Sequence, residues 1–113
     1  MKTKSSRHEL SESALHLIAE RFRVLGEPHR LKLITALEGG PRNVTDLVRA
    51  TGTTQANVSR HLQALTRAGL LSRRKAGLNV YYAIAEPQIF RMCEHVCGSL
   101  RHQLAARMDA MGG

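Results

Sequence analysis

The stretch from Thr53 to Leu71, TTQANVSRHLQALTRAGLL, constrains this chain more than any other. Thr54 is placed to cap a helix, because its hydroxyl can accept a hydrogen bond from an orphan backbone N–H of the first turn. Gly69 is placed to end it, since glycine tolerates positive φ at the residue beyond a helix. Between them lies a helix of roughly four turns. Val58, Leu62 and Leu65 recur at spacings of four and three, which puts them on one buried face. Gln55, Asn57, Ser59, Arg60 and Gln63 fall largely off that face, toward the start of the helix. Asn and Gln match adenine and Arg matches guanine in the major groove, so the N-terminal half is suited to touch DNA.

The rest of the chain supplies what such a helix needs. Ser11 caps a first helix that ends at Gly26 and carries Ala14, Leu15, Ile18, Phe22 and Leu25 as a broad apolar stripe. Glu27-Pro28 resets the chain, and a second helix runs from Pro28 to about Glu38, stopped by Gly39-Gly40-Pro41. Asn43 caps a short third helix that closes at Gly52, with Asp46 near the positive end of its dipole. Residues 43–69 therefore read as two helices joined by a tight turn, the arrangement whose second helix enters the major groove. Leu70 to Lys75 and Asn79 to Ile84 flank Ala76-Gly77, which predicts a two-stranded hairpin with Arg73, Arg74 and Lys75 at its tip. Pro87 opens a last helix to about Met111, with an apolar track through Phe90, Cys93, Cys97, Leu100, Leu104 and Met108.

At 113 residues this is one domain over residues 10–111, preceded by a flexible basic arm over residues 1–9. Apolar residues make up 42% but aromatics only 4%, which favours helices packed on helices and a mainly α fold with one small β-hairpin. The formal charge of +8 points to an anionic partner, and its distribution sharpens the point. No acidic residue lies between Leu47 and Ala85, whereas Arg49, Arg60, Arg67, Arg73, Arg74 and Lys75 all do. Nothing in the chain is long and apolar enough to span a membrane, and MKTKSSRHEL has no hydrophobic core of a signal peptide, so a cytoplasmic protein is expected. Only Cys93 and Cys97 are present, too few for a secreted disulfide framework. No phosphate-cradling glycine loop, paired carboxylates or separated nucleophile and base occur, so an enzyme is not expected.

The segments VLGEPHRLKLITAL, NVSRHLQALTRAGLL and RRKAGLNVYYAI resemble the ArsR/SmtB family of bacterial regulators, and the similarity covers residues 15–105. That resemblance implies a winged helix-turn-helix of five helices plus a wing, paired into a homodimer through the first and last helices. It implies a repressor that binds a palindromic operator, an inverted repeat in double-stranded DNA, without a cofactor, and leaves it when an inducer binds. The family's DNA-contacting positions fall on Thr54, Gln55, Asn57, Ser59, Arg60 and His61 of the recognition helix and on Arg73, Arg74 and Lys75 of the wing. His61 has a second reading, as a half-buried histidine behind that helix.

The inducer is less constrained. The zinc-sensing positions of the family fall on Glu86, Gln88, Ser99 and His102, and Gln88 and Ser99 are poor zinc ligands. The cysteines that some arsenic sensors carry on the third helix are replaced here by residues 44–48, which include no thiol, and the second helix lacks the cysteine of the redox sensors. Cys93 and Cys97 remain, one turn apart on one helical face, where they suit a thiophilic ion such as arsenite, As(III), antimonite, Sb(III), cadmium or copper(I). Arsenite prefers three thiolates, and the third is expected from the partner subunit. His95 and His102 are weaker candidate ligands. Oxidation sensing and inert packing stay open for the two cysteines, as does a metal-binding module whose DNA affinity is incidental.

Overall fold

The helix boundaries follow their caps. The computed structural model describes residues 11–112, so the basic arm expected over residues 1–9 lies outside the described residues. Within them the chain runs α1 (Glu12–Leu25), α2 (Pro28–Ala36), β1 (Arg42–Asn43), α3 (Val44–Thr51), α4 (Gln55–Arg67), β2 (Leu71–Ala76), β3 (Asn79–Ile84) and α5 (Pro87–Gly112). Ser11, Asn43 and Thr54 each accept a backbone N–H of the first turn that follows, at 3.1, 2.8 and 3.2 Å. Gly52 and Gly69 end α3 and α4 with φ of 72° and 81°, which a side chain would strain. Removing the α4 cap with Thr54→Ala should cost about 1 kcal/mol, read as a lower denaturation midpoint at unchanged slope.

Two boundaries differ from expectation. Helix α2 stops at Ala36 rather than Glu38, because Leu37 turns into the core at 2% exposure and its N–H closes the final turn onto Leu33 and Ile34. A two-residue strand, β1, also pairs antiparallel with β3, making a three-stranded sheet in the order β1-β3-β2. The β2–β3 register runs from Leu71 opposite Ile84 to Ala76 opposite Asn79. Gly77 and Leu78 therefore form the tip, with Gly77 at φ 63°, as a two-residue hairpin turn demands. The basic triplet occupies strand β2 behind that tip rather than the tip itself.

Leu33, Leu37, Leu47, Leu62, Leu65 and Leu70 form the centre of the core, each at 2% exposure or less. They hold α2, α3, α4 and the base of the wing together. The two outer helices are different. Only Val24 and Leu25 of α1 are buried, and no residue of α5 is. A chain of this length packs to a radius of gyration of about 13 Å when compact. The observed 17.5 Å is larger, in a chain whose last helix buries no residue. Leu15, Ile18 and Phe22 on α1 and Val96, Leu100, Leu104 and Met108 on α5 stand exposed in apolar stripes, the kind of surface that marks an interaction site.

Candidate nucleic-acid interface

Helices α3 and α4 meet across Gly52, Thr53 and Thr54, and the buried residues Leu47, Val58, Leu62 and Leu65 set the angle between them. The opposite side of α4 is polar and outward. Thr54, Gln55, Arg60 and Gln63 are exposed, and Asn57 and Ser59 are half-buried. The Asn57 side-chain amide donates to Thr53 Oγ1 at 3.0 Å, and its oxygen accepts from Arg60 Nη2. This chain of contacts orients the Asn57 amide before any ligand arrives. Pre-orientation lowers the ordering cost of a bidentate contact to a base edge.

The wing extends the same surface. Arg73, Arg74 and Lys75 are all exposed on β2, and the Arg74 guanidinium lies 5.6 Å over the ring of Tyr81, its cross-strand partner. That cation–π contact holds a charge on the wing face without a carboxylate to neutralise it. Between wing and α4 runs a groove of about 430 Å³ lined by Gln63, Thr66, Arg67, Arg73 and Tyr82. Arg67 lies outside the family's DNA-contacting positions, although it belongs to the same acid-free interval of the chain. Its place in this groove sets a second exposed guanidinium beside Arg73.

His61 is the correction. Of its two readings, DNA contact and packing behind the recognition helix, the second holds, and more completely than half-burial: its side chain is 3% exposed and points inward. The reason is helical period: position 61 lies three residues from Val58 and four from Leu65, on the face those residues bury. Arg30 Nε donates to its Nδ1 at 3.0 Å, and Arg30 Nη1 donates to the Val24 carbonyl at 3.1 Å. The ring of His29 stacks on that of His61, 5.7 Å apart and 5° from parallel. Burial pushes the His61 pKa down and Glu27 opposes that shift, while Arg60, Arg30 and His29 reinforce it. Burial pushes the Glu27 carboxyl up, but the backbone N–H groups of His29 and Arg30, with the His29 side chain and the charge at His61, together bring the net shift downward.

Cys93 and Cys97 face one groove of about 280 Å³, together with Thr35, Glu38, Phe90, Glu94 and Arg101. Cys93 packs against the core and Cys97 is exposed. Burial raises the Cys93 thiol above its ordinary pKa. His95 and His102 are both exposed and line no part of that groove. Among the described residues, Glu27, His29 and His61 are the group of three metal-ligating side chains that one chain brings together. Gln88 and Ser99 are exposed, and with those side chains the family's zinc positions do not fit that ion.

Residues 27–73 match the model of the bacterial regulatory protein arsR family. Across 93 residues the chain is 30% identical to the HTH-type transcriptional regulator NmtR of Mycobacterium tuberculosis, covering 82% of this chain and 78% of NmtR. The chain belongs to the ArsR family. The homodimeric winged helix-turn-helix DNA-binding domain of a possible ArsR-family regulator from Mycobacterium bovis superposes with a TM-score of 0.69 at 29% identity, covering 88% of this chain and 90% of that one. The antimony-specific transcriptional repressor AntR superposes with a TM-score of 0.76 at 29% identity, covering 93% of this chain and 96% of AntR. Membership makes this a winged helix-turn-helix DNA-binding regulator rather than an enzyme. No helix among the described residues is long and apolar enough to cross a membrane.

Proposed function

We propose that this ArsR-family chain is a repressor that binds a palindromic operator as a homodimer and leaves it when a thiophilic ion occupies Cys93 and Cys97. The observation that carries the DNA half is the outward polar face of α4, continuous with an uncompensated basic wing. Thr54, Gln55, Asn57, Ser59 and Arg60 meet base edges and phosphates, and Arg73, Arg74 and Lys75 hold the flanking backbone. The apolar stripes of α1 and α5 supply the pairing surface. Arg60→Ala should relax discrimination by about 1–3 kcal/mol, measured as the ratio of affinities for an operator and a mismatched duplex.

The inducer reading rests on the shared groove. Two thiols one turn apart suit As(III) or Sb(III), and a third ligand comes from the partner across the α5 interface. The raised Cys93 thiol disfavours attack on peroxide, since the thiolate is the nucleophile. A soft ion instead displaces the thiol proton as it binds. The relationship to an antimony-specific repressor points to the same class of ion. The test is operator release against arsenite, antimonite, cadmium, zinc and peroxide, with Cys93→Ser, Cys97→Ser alongside. Release by arsenite or antimonite that the double variant abolishes supports the reading. Release that survives the double variant, or release by peroxide alone, contradicts it.

A further inference from the structure

Three metal-ligating side chains converge where α2 meets the recognition helix, in a place that neither the DNA-facing surface nor the thiol groove uses. Glu27, His29 and His61 each offer one ligand atom, and all three atoms lie within 4.8 Å of one another. Donor atoms around a tetrahedral zinc ion with nitrogen and oxygen ligands stand about 3.4 Å apart. His29 Nδ1 is 3.6 Å from Glu27 Oε2 and His61 Nε2 is 3.7 Å from Glu27 Oε1, so both rings stand beside the carboxylate, and the exposed His29 ring must rotate off its stack on His61 to aim at a shared ion. Glu27 Oε1 is already committed to capping α2, accepting from the N–H groups of His29 and Arg30 at 2.8 and 3.3 Å. Among the described residues its other oxygen accepts no hydrogen bond from a backbone N–H, and it stands 3.6 Å from His29 Nδ1.

We propose that Glu27, His29 and His61 form a site for a divalent ion of the zinc class, such as zinc, cobalt or nickel, held by nitrogen and oxygen donors alone. The donor set is harder than the cysteine pair and selects a different group of ions. Arg30, Arg60 and the positive end of the α2 dipole oppose a cation here, and only three protein ligands are present. Binding is therefore weaker than at a closed structural zinc site, with water completing the coordination.

Occupancy has a mechanical consequence. In the ion-free chain Arg30 Nε donates to His61 Nδ1, which leaves the imidazole proton on Nε2. An ion on Nε2 moves that proton to Nδ1, where it confronts the Arg30 donor, so the Arg30–His61 hydrogen bond must open. Arg30 also ties to the Val24 carbonyl at the end of α1. The ion thus releases the bond between the recognition helix and α2, and it frees the same Arg30 that reaches the end of α1. This coupling, unlike the binding itself, rests on the DNA-binding reading of α4.

The experiment uses the full chain carrying Cys93→Ser and Cys97→Ser, so that thiols contribute nothing. Zinc(II) is titrated by calorimetry, and cobalt(II) by its visible spectrum, with His29→Ala and Glu27→Gln added singly. His29 has a 43% exposed side chain, so its variant tests the site without disturbing the core. We expect one zinc per chain, an intense tetrahedral cobalt spectrum, and at least about a tenfold loss of affinity in either variant. No binding, or binding untouched by both variants, overturns the site. Zinc should also weaken operator affinity of the thiol-free chain, and unchanged operator affinity on saturation overturns the coupling while the stoichiometry upholds the site. Neither metal readout requires DNA, so failure of the repressor reading is recognised separately.

Discussion

Leu104→Asp should give a folded monomer whose affinity for an inverted-repeat duplex is weaker by about 10²–10⁴-fold. Leu104 is 44% exposed on α5 and packs against no described core residue, so the substitution removes little from the stability of one chain. In a dimer the same position faces a second apolar stripe, and a buried unpaired carboxylate there is strongly unfavourable. The large effect on DNA follows from geometry. One recognition helix reads one half-site, and the second binds at high effective concentration only while the two are tethered. Sedimentation equilibrium and a parallel binding isotherm check both parts. A variant that stays dimeric places the interface elsewhere.

The second large effect is on folding. Leu62→Ala should destabilise the chain by about 2–5 kcal/mol, a large share of a small domain's ~5–15 kcal/mol. Leu62 is fully buried in α4, and the cavity would open between α4 and its supports in α2 and α3. Because folding is linked to pairing, the midpoints of wild type and variant should both rise with protein concentration, while the difference between them stays the same. Denaturation followed at two concentrations reads it, and a loss well below 1 kcal/mol would count against the core described above.

These outcomes depend on features that differ in how far they could be read from the residues. The caps at Ser11, Asn43 and Thr54 and the left-handed glycines at Gly52, Gly69 and Gly77 are local signals, each decided within three or four residues. They were legible for that reason. Strand β1 was not, because Arg42 and Asn43 carry no period of their own and become a strand only by pairing with Tyr82 and Tyr81. The end of α2 depends on where Leu37 finds the core, which is a tertiary matter.

The candidate sites divide the same way. The outward set from Thr54 to Arg60 follows from helical period alone. His61 carries the same period and belongs with Val58 and Leu65, whereas the family motif around it places it among the DNA-facing positions. Its partner Arg30 lies 31 residues earlier in the chain, beyond the reach of any local pattern. The Glu27, His29 and His61 cluster was invisible for that reason too, and Arg67 gained its place only once the wing folded beside α4.

The claim on which the rest depends is that two copies of α4, held by the outer helices, read double-stranded DNA. The most direct measurement is selection of duplexes from a random pool by the full chain, followed by affinity against rising salt. The account predicts recovery of an inverted repeat whose half-sites lie ~34 Å apart, one helical turn, bound with a steep loss of affinity as salt increases. A pool without enrichment, or equal affinity for the recovered repeat and unrelated duplexes, would contradict it.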